Sequence, residues 1–127
     1  MPLVRIDVPR GRNEDQRGAI GEVVYAAMRD ALNVPKDDRF QVMAVHAASD
    51  LVIDPSYLGI ARTADAIIIQ VTLNEGRTLA QKQAFYKAVA DGLNERVGLR
   101  REDVMINLVE VKKENWSFGN GEAQYAI

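Results

Sequence analysis

The chain has no cysteine and a single histidine, His46. Thiolate nucleophiles, disulfides and Cys- or His-rich metal clusters are therefore excluded, and any chemistry must come from carboxylates, amines, arginines and hydroxyls. Pro2 is the first candidate. Removal of Met1 leaves its ring nitrogen as a secondary amine, and a terminal amine has a reference pKa of about 7.7 to 8.0, so modest environmental shifts select acid or base. The ring also fixes the direction of the lone pair or proton. With Met1 retained, the nitrogen is a tertiary amide with neither, and Pro2 is only the residue ahead of a strand. Asp38 is the second candidate. An ionised carboxylate near that amine favours the cation, whereas apolar burial and a nearby arginine favour the neutral form; the plain alternative is a solvated turn residue between Asp37 and Arg39. Arg77 offers a guanidinium fork that holds a carboxylate by two parallel hydrogen bonds. Its alternative is a residue in the first turn of a helix, where a cation is unfavourably placed, and Arg12 stands in the matching place earlier in the chain. Trp116 and Phe118 read, as a lone aromatic pair, as core or interface aromatics. Tyr125 and His46 read as structural, the latter because Val45 and Ala47 flank it as in a packed strand.

The elements that position these residues come as two copies of one unit. Sliding the chain by 65 positions places Gly11-Arg12 on Gly76-Arg77, Gln16 on Gln81, Val24 on Val89 and Asp38 on Asp103 without a gap. Val4, Ile6 and Val8 alternate with polar residues, as do Ile69, Val71 and Leu73, so each copy opens on a strand with one buried face. Asn13 with Gln16, and Thr78 with Gln81, have the spacing of a capping box. Ile20, Val23, Val24, Ala27, Met28 and Ala31 then recur at helical spacing, and Phe85, Ala88, Val89, Gly92 and Leu93 do so in the second copy. Asn33 and Gly98 are the matching stops, being the residues that best tolerate a left-handed conformation. RFQVMAVHA and VMINLVEVK supply a second strand each. A right-handed crossover makes the strands of each copy parallel.

The expectation is an α/β (α+β) fold in one domain, 1–127. It comprises two pseudo-repeats at about 2–47 and 66–112 in a four-stranded mixed sheet with two helices on one face, and a C-terminal aromatic hairpin or loop. Two helices cover one face only, while strands such as AIIIQVTL are apolar on more than one side, so a second copy of the chain is expected to cover the other. A net charge of -2 and a pI of about 5.4 give no basic field for a polyanion, so nucleic acid is not an expected partner. No apolar run approaches the roughly 20 residues that span a bilayer, and the first residues lack the apolar stretch of a signal peptide. The expectation is therefore a cytoplasmic protein without a membrane partner.

The tandem β-α-β pattern opens on Met1-Pro2-Leu3. With VPKDDRFQ at 34–41, SDLVIDPSYLGIAR in the middle, GRT at 76–78 and NWSFGNGEAQY near the end, it resembles the tautomerase superfamily, with its 4-oxalocrotonate tautomerase-like fold. The longer match is to the malonate semialdehyde decarboxylase group. The resemblance implies a cofactor-free homotrimeric enzyme acting on small oxo-carboxylic acids as a tautomerase or a decarboxylase. It implies Pro2, Asp38 and Arg77 as catalytic residues, Arg77, Trp116 and Phe118 as the substrate-binding set, and no metal. The turn Asn74-Glu75-Gly76-Arg77 carries one arginine where the group's pattern has two close together. Two alternatives stand beside this reading: a noncatalytic trimeric binding or signalling protein on the same fold, and a ferredoxin-like dimer whose repeat is only architectural.

Overall fold

The computed structural model describes residues 2–126. In chain order the elements are β1 (Leu3–Pro9), α1 (Glu14–Leu32), β2 (Phe40–His46), β3 (Ile67–Asn74), α2 (Leu79–Val97) and β4 (Val104–Val111), joined by short 3-10 turns. The sheet runs β2-β1-β3-β4, with β1 parallel to β2, β3 parallel to β4, and the two central strands antiparallel. Each copy is thus a complete β-α-β unit whose own strands pair directly. In a ferredoxin-like split unit another strand would intervene, and that alternative is overturned by the strand order.

Both helices begin and end as the sequence dictates. Asn13 Oδ1 accepts the Gln16 N–H at 2.8 Å and Gln16 Oε1 accepts the Asn13 N–H at 2.9 Å. Thr78 and Gln81 repeat the exchange at 3.2 and 2.9 Å. Helix α1 stops at Asn33 (φ 54°) and α2 at Gly98 (φ 67°), both left-handed. The turns that enter the helices each need a glycine, since Gly11 and Gly76 sit at φ 125° and 121°, a region closed to residues bearing a Cβ.

Alternation places Val4, Ile6 and Val8 of β1, and Ile67, Ile69, Val71 and Leu73 of β3, under the helices, where they meet Ile20, Val24, Met28, Phe85, Val89 and Leu93 in one buried core. Helices α1 and α2 pack closely at Gly92, where an added Cβ would lie 2.7 Å from Val23 Cγ1. The opposite face of the sheet has no helix and presents Leu3, Val42, Met105 and Val109, each more than a third exposed. His46 also lies on that face. Its ring pairs with Asp7 at 2.6 Å, so it is held by a polar contact rather than by the apolar strand packing its neighbours suggested.

The segment between the copies is a loop carrying two 3-10 turns, Ala48–Asp50 and Tyr57–Gly59. The tail is a loop, not a hairpin. Gly119, Asn120 and Gly121 all have positive φ, and the turn is closed by a side chain: the Phe118 N–H donates to Gln124 Oε1 at 2.9 Å, and Gln124 Nε2 donates to the Gly119 carbonyl at 2.7 Å. No helix among the described residues is long and apolar enough to cross a membrane.

Candidate active site

The sheet register gathers the candidates at one corner. Leu3 pairs with Phe40 on one side and with Thr72 on the other, so Pro2, one residue earlier, lies where β2 begins and β3 ends. Pro2 is buried. Asp38, half-buried, precedes β2 by two residues at the same end of the sheet. Its turn is fastened to α1: the Asp38 N–H donates to the Pro35 carbonyl at 3.3 Å, the Asp37 N–H donates to the Tyr25 hydroxyl at 2.9 Å, and the Arg39 guanidinium lies 5.1 Å over the Tyr25 ring. Met1, and with it the question of its removal, lies outside the described residues.

Arg77 reaches this corner from the turn after β3. Its Nε and Nη2 donate to the Leu32 carbonyl at 3.2 and 3.0 Å, and Nη1 donates to the Asn74 carbonyl at 3.2 Å. The side chain therefore leaves the positive start of its own helix and lies over the negative end of α1, where a cation is favoured. The electrostatic mismatch inferred from its sequence position disappears, and the guanidinium is held rigidly by backbone oxygens while its remaining N–H groups are available for a second task. Arg12, its counterpart, makes one long contact with the Asp65 carbonyl at 3.5 Å and stands at the opposite corner.

The tail supplies the aromatic side. Trp116 and Phe118 stack with ring centres 5.3 Å apart and planes 12° from parallel. Phe40, at the start of β2, lies 5.9 Å from Phe118, and the Tyr125 ring meets Phe118 edge-on at 5.1 Å. Tyr125 therefore belongs to this cluster, although the sequence marked it only as structural. Asn74 joins the parts: it is 4 % exposed, its Oδ1 accepts the Trp116 Nε1–H at 2.7 Å, and its carbonyl accepts from Arg77. A cavity of about 470 Å³ opens beside Asn74, lined also by Glu75, Lys112, Lys113 and Tyr125; Pro2, Asp38 and Arg77 are not in its lining. Sequence reasoning noted Asn74 only as the place of a missing arginine; a lone asparagine at a strand end carries no periodic signal.

Comparison with known proteins decides the family. The tautomerase enzyme models match residues 38–119 and 2–60, the first of these more than half the chain. The chain belongs to the tautomerase family. It is 40 % identical over 124 residues to the probable tautomerase YusQ of Bacillus subtilis (strain 168), covering 98 % of both chains. It is 37 % identical to the crystal structure of FG41 malonate semialdehyde decarboxylase inhibited by 3-bromopropiolate, with a TM-score of 0.91 over 98 % of this chain and 94 % of that one. A symmetric trimer of fused 4-OT shares the fold, with a TM-score of 0.79 and 21 % identity over 98 % of each chain. These relatives make the chain an enzyme of the tautomerase type, and the corner at Pro2 is the place in this tautomerase fold where a buried proline, a carboxylate, an arginine and an aromatic cluster come together.

Proposed function

We propose that the chain is a cofactor-free enzyme in which Pro2, freed by removal of Met1, acts on small oxo-carboxylic acids through an enolate-like intermediate. The observation that carries this reading is the burial of Pro2 at the corner shared by Asp38, Asn74, Arg77 and the aromatic cluster. Arg77, anchored on the Leu32 and Asn74 carbonyls, orients the substrate carboxylate with its outer N–H groups. Trp116 and Phe118 exclude water and so strengthen the electrostatics of the site. Asp38, at the adjoining strand end, favours the cationic amine, which donates a hydrogen bond to the carbonyl as charge develops on loss of CO2. Decarboxylation of a 3-oxo acid such as malonate semialdehyde is accordingly the first reaction expected, with tautomerisation of a 2-oxo acid such as phenylpyruvate as the secondary one. The uncovered sheet face, with Leu3, Val42, Met105 and Val109 exposed, supports a homotrimer, in keeping with the trimeric fused 4-OT of the same fold.

Intact mass of the native protein, followed by kcat/KM on malonate semialdehyde and phenylpyruvate, tests the assignment. A mass lacking Met1, and turnover that falls on an alkaline limb titrating with the Pro2 amine, are expected. If kcat/KM instead rises from acid pH to a plateau near neutrality, Pro2 is a base and the enzyme a tautomerase first. A retained Met1 with undiminished turnover would sink the proline mechanism.

A further inference from the structure

We propose that the turn Tyr57–Gly59 seats its apolar tip in the hollow between α1 and β2 of a second copy of the chain. This head-to-tail contact supplies an interface for the homotrimer proposed above and rests on that part of the reading. The hollow, about 280 Å³, takes apolar lining from Ile6 and Met43 and charged groups from Glu14, Arg17 and Arg39. Gly18 and Gly21 of α1 also line it, and the offset of 65 sets Gln83 and Tyr86 at the matching places on α2. Gly21 has a packing reason within the chain, since a Cβ there would lie 2.6 Å from Gln41 Oε1. A Cβ on Gly18 would meet nothing within 4 Å. Glycine weakens a helix interior, so Gly18 costs α1 stability while no described neighbour requires it, and the space beside it suits an aromatic ring such as Tyr86 carries on the other helix.

The turn has the complementary character. Tyr57 and Leu58 are 66 % and 78 % exposed, and Leu58 holds φ 61°, an uncommon conformation for a residue with a Cβ. The turn is firmly built all the same. Arg62 Nη1 donates to the Asp54, Tyr57 and Ile60 carbonyls at 3.1, 3.2 and 3.4 Å, and the Ser56 N–H donates to Asp54 Oδ1 at 2.9 Å. A tyrosine and a leucine held out on a pre-ordered turn lose little freedom on docking. Charge agrees: residues 48–60 carry Asp50 and Asp54 and no lysine or arginine, against two arginines and one glutamate at the hollow. Position sets the type of contact. Tyr57 lines a separate hollow with Ile68 and Met105, on the β3–β4 side, whereas the receiving hollow lies beside β2, and β2 and β4 are the two edges of the sheet. Tip and hollow on opposite sides join copies head to tail, and such a contact, when it closes, gives a ring rather than a two-fold dimer.

Sedimentation across a range of concentrations, with circular dichroism to check folding, tests the contact. Gly18→Leu fills the hollow, and Tyr57→Ser combined with Leu58→Asn removes the tip. Each should weaken association by about 30-fold or more with the fold kept, since leucine is the better helix former and asparagine tolerates the left-handed turn. Because the chain has no cysteine, Glu14→Cys and Ser56→Cys proteins can be co-expressed and treated with a short bismaleimide. The 14–56 pair should crosslink, and the 14–14 and 56–56 pairs should not. A trimer that both variants leave intact, or that gives no 14–56 crosslink, overturns the contact, frees the hollow for a small ligand and leaves the homotrimer standing. A wild type that stays monomeric at micromolar concentration overturns the homotrimer and the contact together. A two-fold dimer crosslinked 56–56 overturns the head-to-tail arrangement.

Discussion

The two ends of the central strand pair are built from equivalent residues and have become different things. At the first corner stand Pro2, Asp38, Asn74, Arg77, Trp116 and Phe118; an offset of 65 places Ile67, Asp103, Arg12, Leu51 and Ile53 at the second, with Pro9 matching Asn74. The second corner is closed. The Thr63 N–H and hydroxyl donate to the two oxygens of Asp103 at 2.7 and 2.6 Å, and the cavity there, lined by Pro9, Leu51, Ile53 and Thr63 among others, has only about 110 Å³. The carboxylate is therefore saturated by the incoming chain, where the first corner has a cavity about four times as large. At Asp103 the donors come from the chain that precedes the strand, and under the proposed function it is the break in that chain before Pro2 that leaves the first corner open to chemistry.

The widest separation between the corners should appear when position 2 and position 67 are altered in parallel. Blocking the Pro2 nitrogen, by a terminal extension that resists removal, should lower kcat/KM by about 10²- to 10⁴-fold, the contribution of a positioned acid or base, with little change in Tm. Ile67→Ala should do the reverse, costing about 2 to 5 kcal/mol of stability through a core cavity while turnover per folded molecule holds. A comparable loss of activity from both would break the contrast.

The arginines come next. Arg77→Ala should reduce kcat/KM for a carboxylate substrate by roughly 10- to 100-fold and also cost about 1 to 3 kcal/mol, since the Leu32 and Asn74 carbonyls lose charge-assisted donors. Arg12→Ala, removing one 3.5 Å contact, should change neither measurably. Steady-state kinetics with denaturant unfolding separates the two effects, and an unchanged kcat/KM in Arg77→Ala would remove Arg77 from substrate binding.

At the sealed corner, Thr63→Val removes the hydroxyl donor to buried Asp103 and should cost about 1.5 to 3 kcal/mol with activity at the first corner intact. A silent Thr63→Val would mean that the Thr63 N–H, with the Arg100 guanidinium 3.9 Å from Asp103 Oδ2, suffices for the carboxylate.

The smallest effect is expected far from both corners, as a background against which they are read. The hydrogen bond from Lys87, then that from Arg101, hold the surface residue Asp91, itself half-buried, below the usual carboxylate range. A depressed folded pKa contributes stability above the unfolded pKa that is lost as pH falls through the folded one. The small stability difference between wild type and Lys87→Ala should therefore be present at neutral pH and vanish in acid, as urea unfolding at several pH values would show. A difference that grew in acid would contradict the pairing.

What the sequence disclosed was periodic or repeated. Strand alternation, the two capping boxes, the left-handed stops at Asn33 and Gly98 and the parallel pairing within each copy all follow from local rules applied twice. The sequence names Pro2, Asp38, Arg77, Trp116 and Phe118 as candidates, and the fold puts them toward one corner of the sheet. What escaped was set by tertiary neighbours: an indole from the tail lands on Asn74, the tail turns back so that Tyr125 meets Phe118, and the Tyr25 hydroxyl receives the Asp37 N–H. Of the two forms expected for the tail, hairpin or loop, it is the loop, since Gln124 supplies from its side chain the partners that a paired strand would have supplied from its backbone. The destination of the Arg77 fork was equally invisible, because nothing in the order of residues shows that the end of α1 lies beside the start of α2.

The hydrogen bonds from Thr63 to Asp103 carry a lesson for protein engineering. In the second copy the strand start is internal, so position 67 has a peptide nitrogen where position 2 can have an amine, and the matching carboxylate is a clasp on the crossing loop. A nicked or circularly permuted chain that begins at position 67 with proline there would expose a second terminus beside Asp103, and the silent half could be redesigned for a different substrate without disturbing the first.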